Sequence, residues 1–231
     1  MMGPKLFCFG GQDENGSPLD TVQVLDTEED VKGWETVCSM STPKISCGVV
    51  EHGGKFYIFG GETGDEDTDY LASAEVFDPE FNQWEVLPNM ANARSMPSVS
   101  VLGGKIVVAC GFDGGWMLYQ NVESFDPKTQ TWDTLPDMAH LSGKGISVAH
   151  NGILHVKNGK WKDKMKRFDG REWEEVSVTD CRISSMCLVK KEHISAIKSR
   201  KSNPRPLLMM TGVLAALTGL ILGAIAWWNS Y

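Results

Sequence analysis

Basic residues recur at one spacing from a tryptophan. Lys44 follows Trp34 by ten positions, Arg94 follows Trp84 by ten, and Arg182 follows Trp173 by nine; Ser142 stands ten after Trp132. A guanidinium can hold a carboxylate through two parallel N–H bonds, whereas an ammonium holds it as a point charge. Side by side on one face, these groups would grip an acidic segment of a partner protein. A second set lies in loops that follow recurring glycines: Asp13, Glu14, Asp65, Tyr70, Asp113 and Trp116. Trp116, preceded by Gly114 and Gly115, would occupy a loop tip, where an aromatic ring can anchor a contact.

Residues for bond-making chemistry show no comparable order. The five histidines (His52, His140, His150, His155, His193) share no spacing, and no two of the six cysteines stand in a CxxC pair. There is neither a dinucleotide fingerprint nor a P-loop. The acidic run Asp65–Asp69 lacks the ligand register of an EF-hand and reads as a solvated loop. The expectation is a protein without catalytic residues, metal or cofactor. Residues 1–190 carry 17 bases against 29 acids, a balance of −12, which speaks against a nucleic-acid surface. The scattered cysteines read as small apolar residues in a reducing compartment.

The elements that must position these residues repeat. Phe7–Gly11 (FCFGG) returns as Phe56–Gly61 (FYIFGG), Ile106–Gly111 (IVVACG) and Leu154–Gly159 (LHVKNG), so the closing glycines Gly11, Gly61, Gly111 and Gly159 lie 50, 50 and 48 apart. After each comes a polar loop and an alternating strand that ends in Asp, such as Glu75–Pro79 or Glu123–Pro127. Next comes one of Trp34, Trp84, Trp132 or Trp173, opening a further strand. A fourth strand then reaches Gly53-Gly54, Gly103-Gly104 or Asn151-Gly152, dipeptides that supply the positive φ of a tight hairpin. Each unit is thus four short antiparallel strands, and the four tryptophans read as packing between units. A period near 50 with four strands per unit signifies propeller blades.

The order of the motifs, a glycine pair (Gly10-Gly11, Gly60-Gly61), then an aromatic beside Asp-Pro, then Trp, resembles the kelch repeat over residues 5–197. The resemblance implies an all-β propeller of about four to five blades. Seventeen strands are expected, the last two at Ile183–Val189 and His193–Ile197. Intact kelch propellers close with about six blades, so this chain reads as a shortened member. It would form a small ring or an open one whose edges a partner or a second copy covers, with Ile183–Val189 as the internal candidate to complete the first blade. The resemblance also implies that the basic and serine residues of the entering loops bind acidic peptide segments. Kelch-fold copper oxidases need tyrosines and histidines converging on a metal, and certain plant kelch proteins hold iron through Glu-x3-Asp-x3-His; neither arrangement occurs here.

Residues 207–228 hold no charge. A helix of this length spans about 33 Å, enough for a bilayer core of about 30 Å. Lys198, Arg200, Lys201 and Arg205 precede it within a basic linker, 198–206, which places the propeller in the cytosol by the positive-inside rule. A single-pass tail anchor is expected, with the endoplasmic reticulum favoured over the mitochondrial outer membrane. Ala215, Gly219 and Gly223 fall four apart and offer a close-packing face for a homodimer. The functional expectation is a membrane-tethered protein-interaction module whose propeller binds through its loop face. The alternative is a substrate-recognition or competitor subunit linked to ubiquitin ligases, similar to the kelch part of F-box and BTB proteins without those domains.

Overall fold

The computed structural model describes residues 5–28, 33–64, 70–113, 118–139, 145–158 and 164–177. They form fifteen strands in four antiparallel sheets. Blade 1 has three strands, β1 (Lys5–Phe9), β2 (Thr21–Asp26) and β3 (Glu35–Ser39). Blade 2 has β4 (Gly48–His52), β5 (Lys55–Phe59), β6 (Ala74–Asp78) and β7 (Gln83–Leu87). Blade 3 has β8 (Ser98–Leu102), β9 (Lys105–Ala109), β10 (Val122–Asp126) and β11 (Thr131–Leu135). Blade 4 has β12 (Gly145–His150), β13 (Ile153–Asn158), β14 (Lys164–Phe168) and β15 (Trp173–Ser177). The repeat boundaries of the sequence coincide with these sheets. The expected final pair of strands, the basic linker and the 207–228 span lie outside the described residues. Among the described residues no helix is long and apolar enough to cross a membrane.

Each recurring motif has a local cause. The Gly53-Gly54 and Gly103-Gly104 turns take positive φ at both positions, as does Asn151-Gly152, which matches the twist of the flanking strands. The repeated Asp accepts a backbone N–H two residues on: Glu28 to Asp26, Glu80 to Asp78, Lys128 to Asp126 and Arg171 to Asp169, at 2.8–3.0 Å. These Asx turns fix the hairpin between third and fourth strands.

The alternation of the strands gives each blade two apolar faces. Blade 2 turns Ile58, Phe77, Phe56 and Trp84 towards Phe7, Phe9 and Val22 of blade 1. It turns Tyr57, Phe59, Ala74 and Val76 towards Ile106, Val108 and Phe125 of blade 3. Between blades 3 and 4 lie Val107, Ala109, Val122, Leu154, Val156 and Phe168. Near the axis Ser147 of β12 bonds Ser98 and Ser100 of β8 at 2.6 and 2.7 Å.

Three of the four tryptophans are half-buried at these junctions as expected. Each indole reaches the preceding blade: Trp84 Nε1 donates to Cys38 Sγ (3.3 Å), Trp132 Nε1 to Pro88 O (2.8 Å) and Trp173 Nε1 to Pro136 O (2.7 Å). Trp34 departs from the expectation of a core residue. It is 46% exposed, because among the described residues no sheet packs against that side of blade 1.

Candidate binding face

The loops entering the first strands of blades 2 and 3 and the loops after the second strands of blades 1 to 3 meet at one end of the propeller. Short bridges tie them: Ile45 with Glu62, Glu62 with Tyr70, Ser95 with Phe112, and Phe112 with Leu118. Met96 N donates to Ser46 O at 2.8 Å, linking two entering loops. Tyr70, carried by blade 2, meets Phe112 of blade 3 edge-on with ring centroids 6.0 Å apart. Asp13 is exposed and accepts from Asn15 N (2.9 Å) and Ser17 N (2.8 Å); these bonds hold its carboxyl below the usual range.

Lys44 and Arg94 do occupy equivalent places in these loops, but their side chains turn inward, with exposures of 1% and 0%. Lys44 Nζ donates to Glu75 Oε1 at 2.5 Å and to Ser73 Oγ at 3.3 Å. Arg94 Nη2 donates to Glu123 Oε1 at 2.5 Å and to Asn121 Oδ1 at 3.3 Å, and Nη1 to Cys110 O at 3.0 Å. The guanidinium also lies 4.9 Å from the Tyr119 ring centroid. Burial pushes the Arg94 pKa down from the usual arginine value, and Glu123 pulls it back. The reason for the inward turn is a buried acid on the third strand of blades 2 and 3, Glu75 of β6 and Glu123 of β10. A carboxylate without water requires a cation, and the entering loop supplies it. These two cations are therefore not presented to a partner as the sequence suggested.

The backbone of the same residues explains the glycine pairs. Gly11 N donates to Lys44 O (3.2 Å) and Gly61 N to Arg94 O (3.0 Å), while Lys44 N and Arg94 N donate to Leu19 O and Leu71 O (both 3.1 Å). A Cβ on Gly10 or Gly60, at φ 63° in both, would strike those carbonyls. The second carboxylate oxygens complete the junction, accepting from Ser41 N (3.3 Å) and Ala91 N (2.7 Å) of the preceding blades. Entering loop, glycine pair and buried acid thus form one staple per junction, seen twice.

Glu75 and Glu123 were the residues missed by sequence reading. Their signal was present in the matching Glu-x-Phe-Asp-Pro segments and in the fourth copy, where Lys166 replaces the acid and Ser142 the base. Lys166 instead pairs with Glu175 at 3.3 Å. At the third junction Cys110 stands where Gly10 and Gly60 stand in the first two, holding φ 62°. It is fully buried, which pushes its thiol up to about 12; Cys47 is likewise raised to about 11. Of the other expected contact residues, Tyr70 and Asp113 are half-buried on the loop face. Ser142, Trp116, Arg182 and the Ala215, Gly219 and Gly223 helix face lie outside the described residues. Among the described residues no three His, Cys, Asp or Glu side chains form a metal-binding group.

The sequence matches the KLHDC2/KLHL20/DRC7 Kelch-repeats domain over residues 1–158. The chain belongs to the kelch-repeat family. Spermatocyte protein spe-26 of Caenorhabditis elegans is 31% identical over 118 residues, covering 49% of this kelch chain and 20% of the relative. Human kelch-like protein 23 is 32% identical over 89 residues, 38% of this chain and 14% of its own length. Alpha-scruin of Limulus polyphemus is 27% identical over 110 residues, 46% of this chain and 12% of the relative. The chain thus spans a fifth or less of these curated relatives. The solved structure of YjhT superposes with a TM-score of 0.63 at 16% identity, over 79% of this chain and 64% of that one. The likeness to YjhT is one of fold: a kelch propeller.

Proposed function

We propose that this kelch propeller is a protein-interaction module, held at a membrane by residues 207–228, that binds its partner through the loop face. The observation that carries the reading is the construction of that face. Lys44–Glu75 and Arg94–Glu123 rigidify two entering loops from beneath, so that side chains above them stand on a fixed support. A preorganised surface loses less entropy on binding than a mobile one. Because those two cations are neutralised inside, the charged groups the described face offers are Asp13, Glu14, Glu62 and Asp113, beside Tyr70. The partner segment suited to it is basic or aromatic instead of acidic.

The test is an affinity capture with residues 207–231 removed, comparing the wild-type propeller with a Tyr70→Ala/Asp113→Ala variant. Stable partners lost in the variant, with unfolding unchanged, support the loop face; full recovery of every partner by the folded variant rejects it. Cullin or Skp1-type subunits among the captured proteins would favour the ligase-linked reading. The tail is tested separately. The full chain should resist carbonate extraction from membranes and lose that resistance on deletion of 207–231; retention of the deleted chain would reject the anchor. Co-localisation with reticulum or mitochondrial markers distinguishes the two membranes.

A further inference from the structure

The four blades present the same five positions towards the preceding blade, and among the described residues only those of blade 1 meet no other blade. In blades 2 and 3 these positions hold Phe56, Ile58, Glu75, Phe77 and Trp84, and Ile106, Val108, Glu123, Phe125 and Trp132. In blade 1 they are Leu6, Cys8, Gln23, Leu25 and Trp34. Cys8, Gln23 and Trp34 are exposed, and Leu6 and Leu25 are only half-buried. Among the described residues the indole of Trp34, unlike those of Trp84, Trp132 and Trp173, donates to no acceptor on another blade. This is a blade-packing face, built by the rules of the other three and uncovered among the described residues.

We propose that it is covered by the same face of a second copy of this chain, related by a two-fold axis. The choice of occupant rests on charge. In an interface that meets itself, residue i of one copy faces residue j of the other and j faces i, and the residue at the two-fold axis meets its own mate, so a charge at the centre of the face would repel itself. Blades 2, 3 and 4 carry Glu75, Glu123 and Lys166 at the central polar position, each neutralised by a partner from its own blade. Blade 1 carries Gln23, whose amide both donates and accepts, so two copies can bond there without a counter-ion. The remaining residues of the face, Leu6, Cys8, Leu25 and Trp34, are uncharged. The interface is separate from the loop face proposed to bind partners.

The test is sedimentation equilibrium of the full chain in density-matched detergent, with two variants. The wild type should run at twice the 25.5 kDa of one chain. Gln23→Glu, which installs the residue blades 2 and 3 already tolerate, should raise the dissociation constant at pH 7 by tenfold or more and leave thermal unfolding of the chain unchanged at dilutions where it is monomeric. Partner capture through the loop face should also be unchanged. Bismaleimide should join two wild-type chains and fail to join Cys8→Ser chains. A wild-type mass of one chain, a Gln23→Glu mass still at two with unaltered affinity, or a cross-link that survives Cys8→Ser would overturn the proposal.

Discussion

Arg94 and Glu123 meet at 2.5 Å with 0% and 4% of their side chains exposed. They belong to one blade, but each also reaches past it: Arg94 O accepts from Gly61 of blade 2, and the second oxygen of Glu123 accepts from Ala91 N. A single ion pair thereby closes the junction of blades 2 and 3, as Lys44 and Glu75 close that of blades 1 and 2.

Removing one member of such a pair should leave a buried charge alone. Arg94→Ala or Glu75→Ala is expected to destabilise the propeller by about 3–5 kcal/mol. The double replacement Arg94→Met/Glu123→Leu, which removes both charges and keeps the volume, should cost markedly less. Urea unfolding of the three variants checks this. Equal losses for single and double variants would show that the charges are not the reason for the pairing.

The tryptophans provide a graded comparison within one chain. Trp132→Phe removes an indole N–H that donates to Pro88 O at 2.8 Å and narrows a half-buried ring. A loss of about 1–2 kcal/mol is expected. Trp34 is 46% exposed, so Trp34→Phe should cost under about 0.5 kcal/mol in a chain kept monomeric by dilution. Thermal unfolding at low protein concentration gives both values, and a larger effect at Trp34 would place an unseen contact on that face.

These differences mark where sequence was a sufficient guide. The blade architecture was legible because glycine pairs, Asp-ended strands and tryptophans impose a period that only one set of hairpins satisfies. The direction of Lys44 and Arg94 was not, since spacing places a Cα at a loop and does not say whether a buried acid waits below it. Glu75 and Glu123 look like the polar members of alternating strands, and only the pairing of strands against neighbouring blades reveals that both faces of an inner blade are interior. Trp34 fails for the mirror-image reason: its motif is that of the other three, but burial depends on a sheet that the motif does not contain.

Acid should weaken blade 4 through His155. This side chain stands opposite Arg167 in the β13–β14 register, and burial, then Arg167 and then His150 lower its pKa from the ordinary value of 6.5. Between that lowered value and 6.5 the unfolded chain binds more protons than the folded one, so stability rises with pH through this window and is lost as pH falls through it. The melting temperature should drop from pH 7 to pH 5, with a shallower slope in His155→Gln. An identical slope in the variant would assign the acid sensitivity to the carboxylates instead.

The third junction offers a coupled pair. Gly145 opens β12 directly against Cys110: a Cβ placed on it would strike the Cys110 Sγ and approach its Cβ to 3.1 Å. Gly145→Ala should therefore cost about 1–3 kcal/mol by overpacking. Cys110 itself holds φ 62° where the first two copies use glycine, so Cys110→Gly relieves backbone strain of about 1 kcal/mol while emptying a buried site. In the Cys110→Gly background the alanine at 145 enters the space the thiol has left. Its cost should fall below half of the value in the wild-type background, an interaction energy of at least about 0.5 kcal/mol in a double-mutant cycle. Strict additivity would mean that β12 shifts away from β9 on its own account and that the thiol does not set the distance between the two blades.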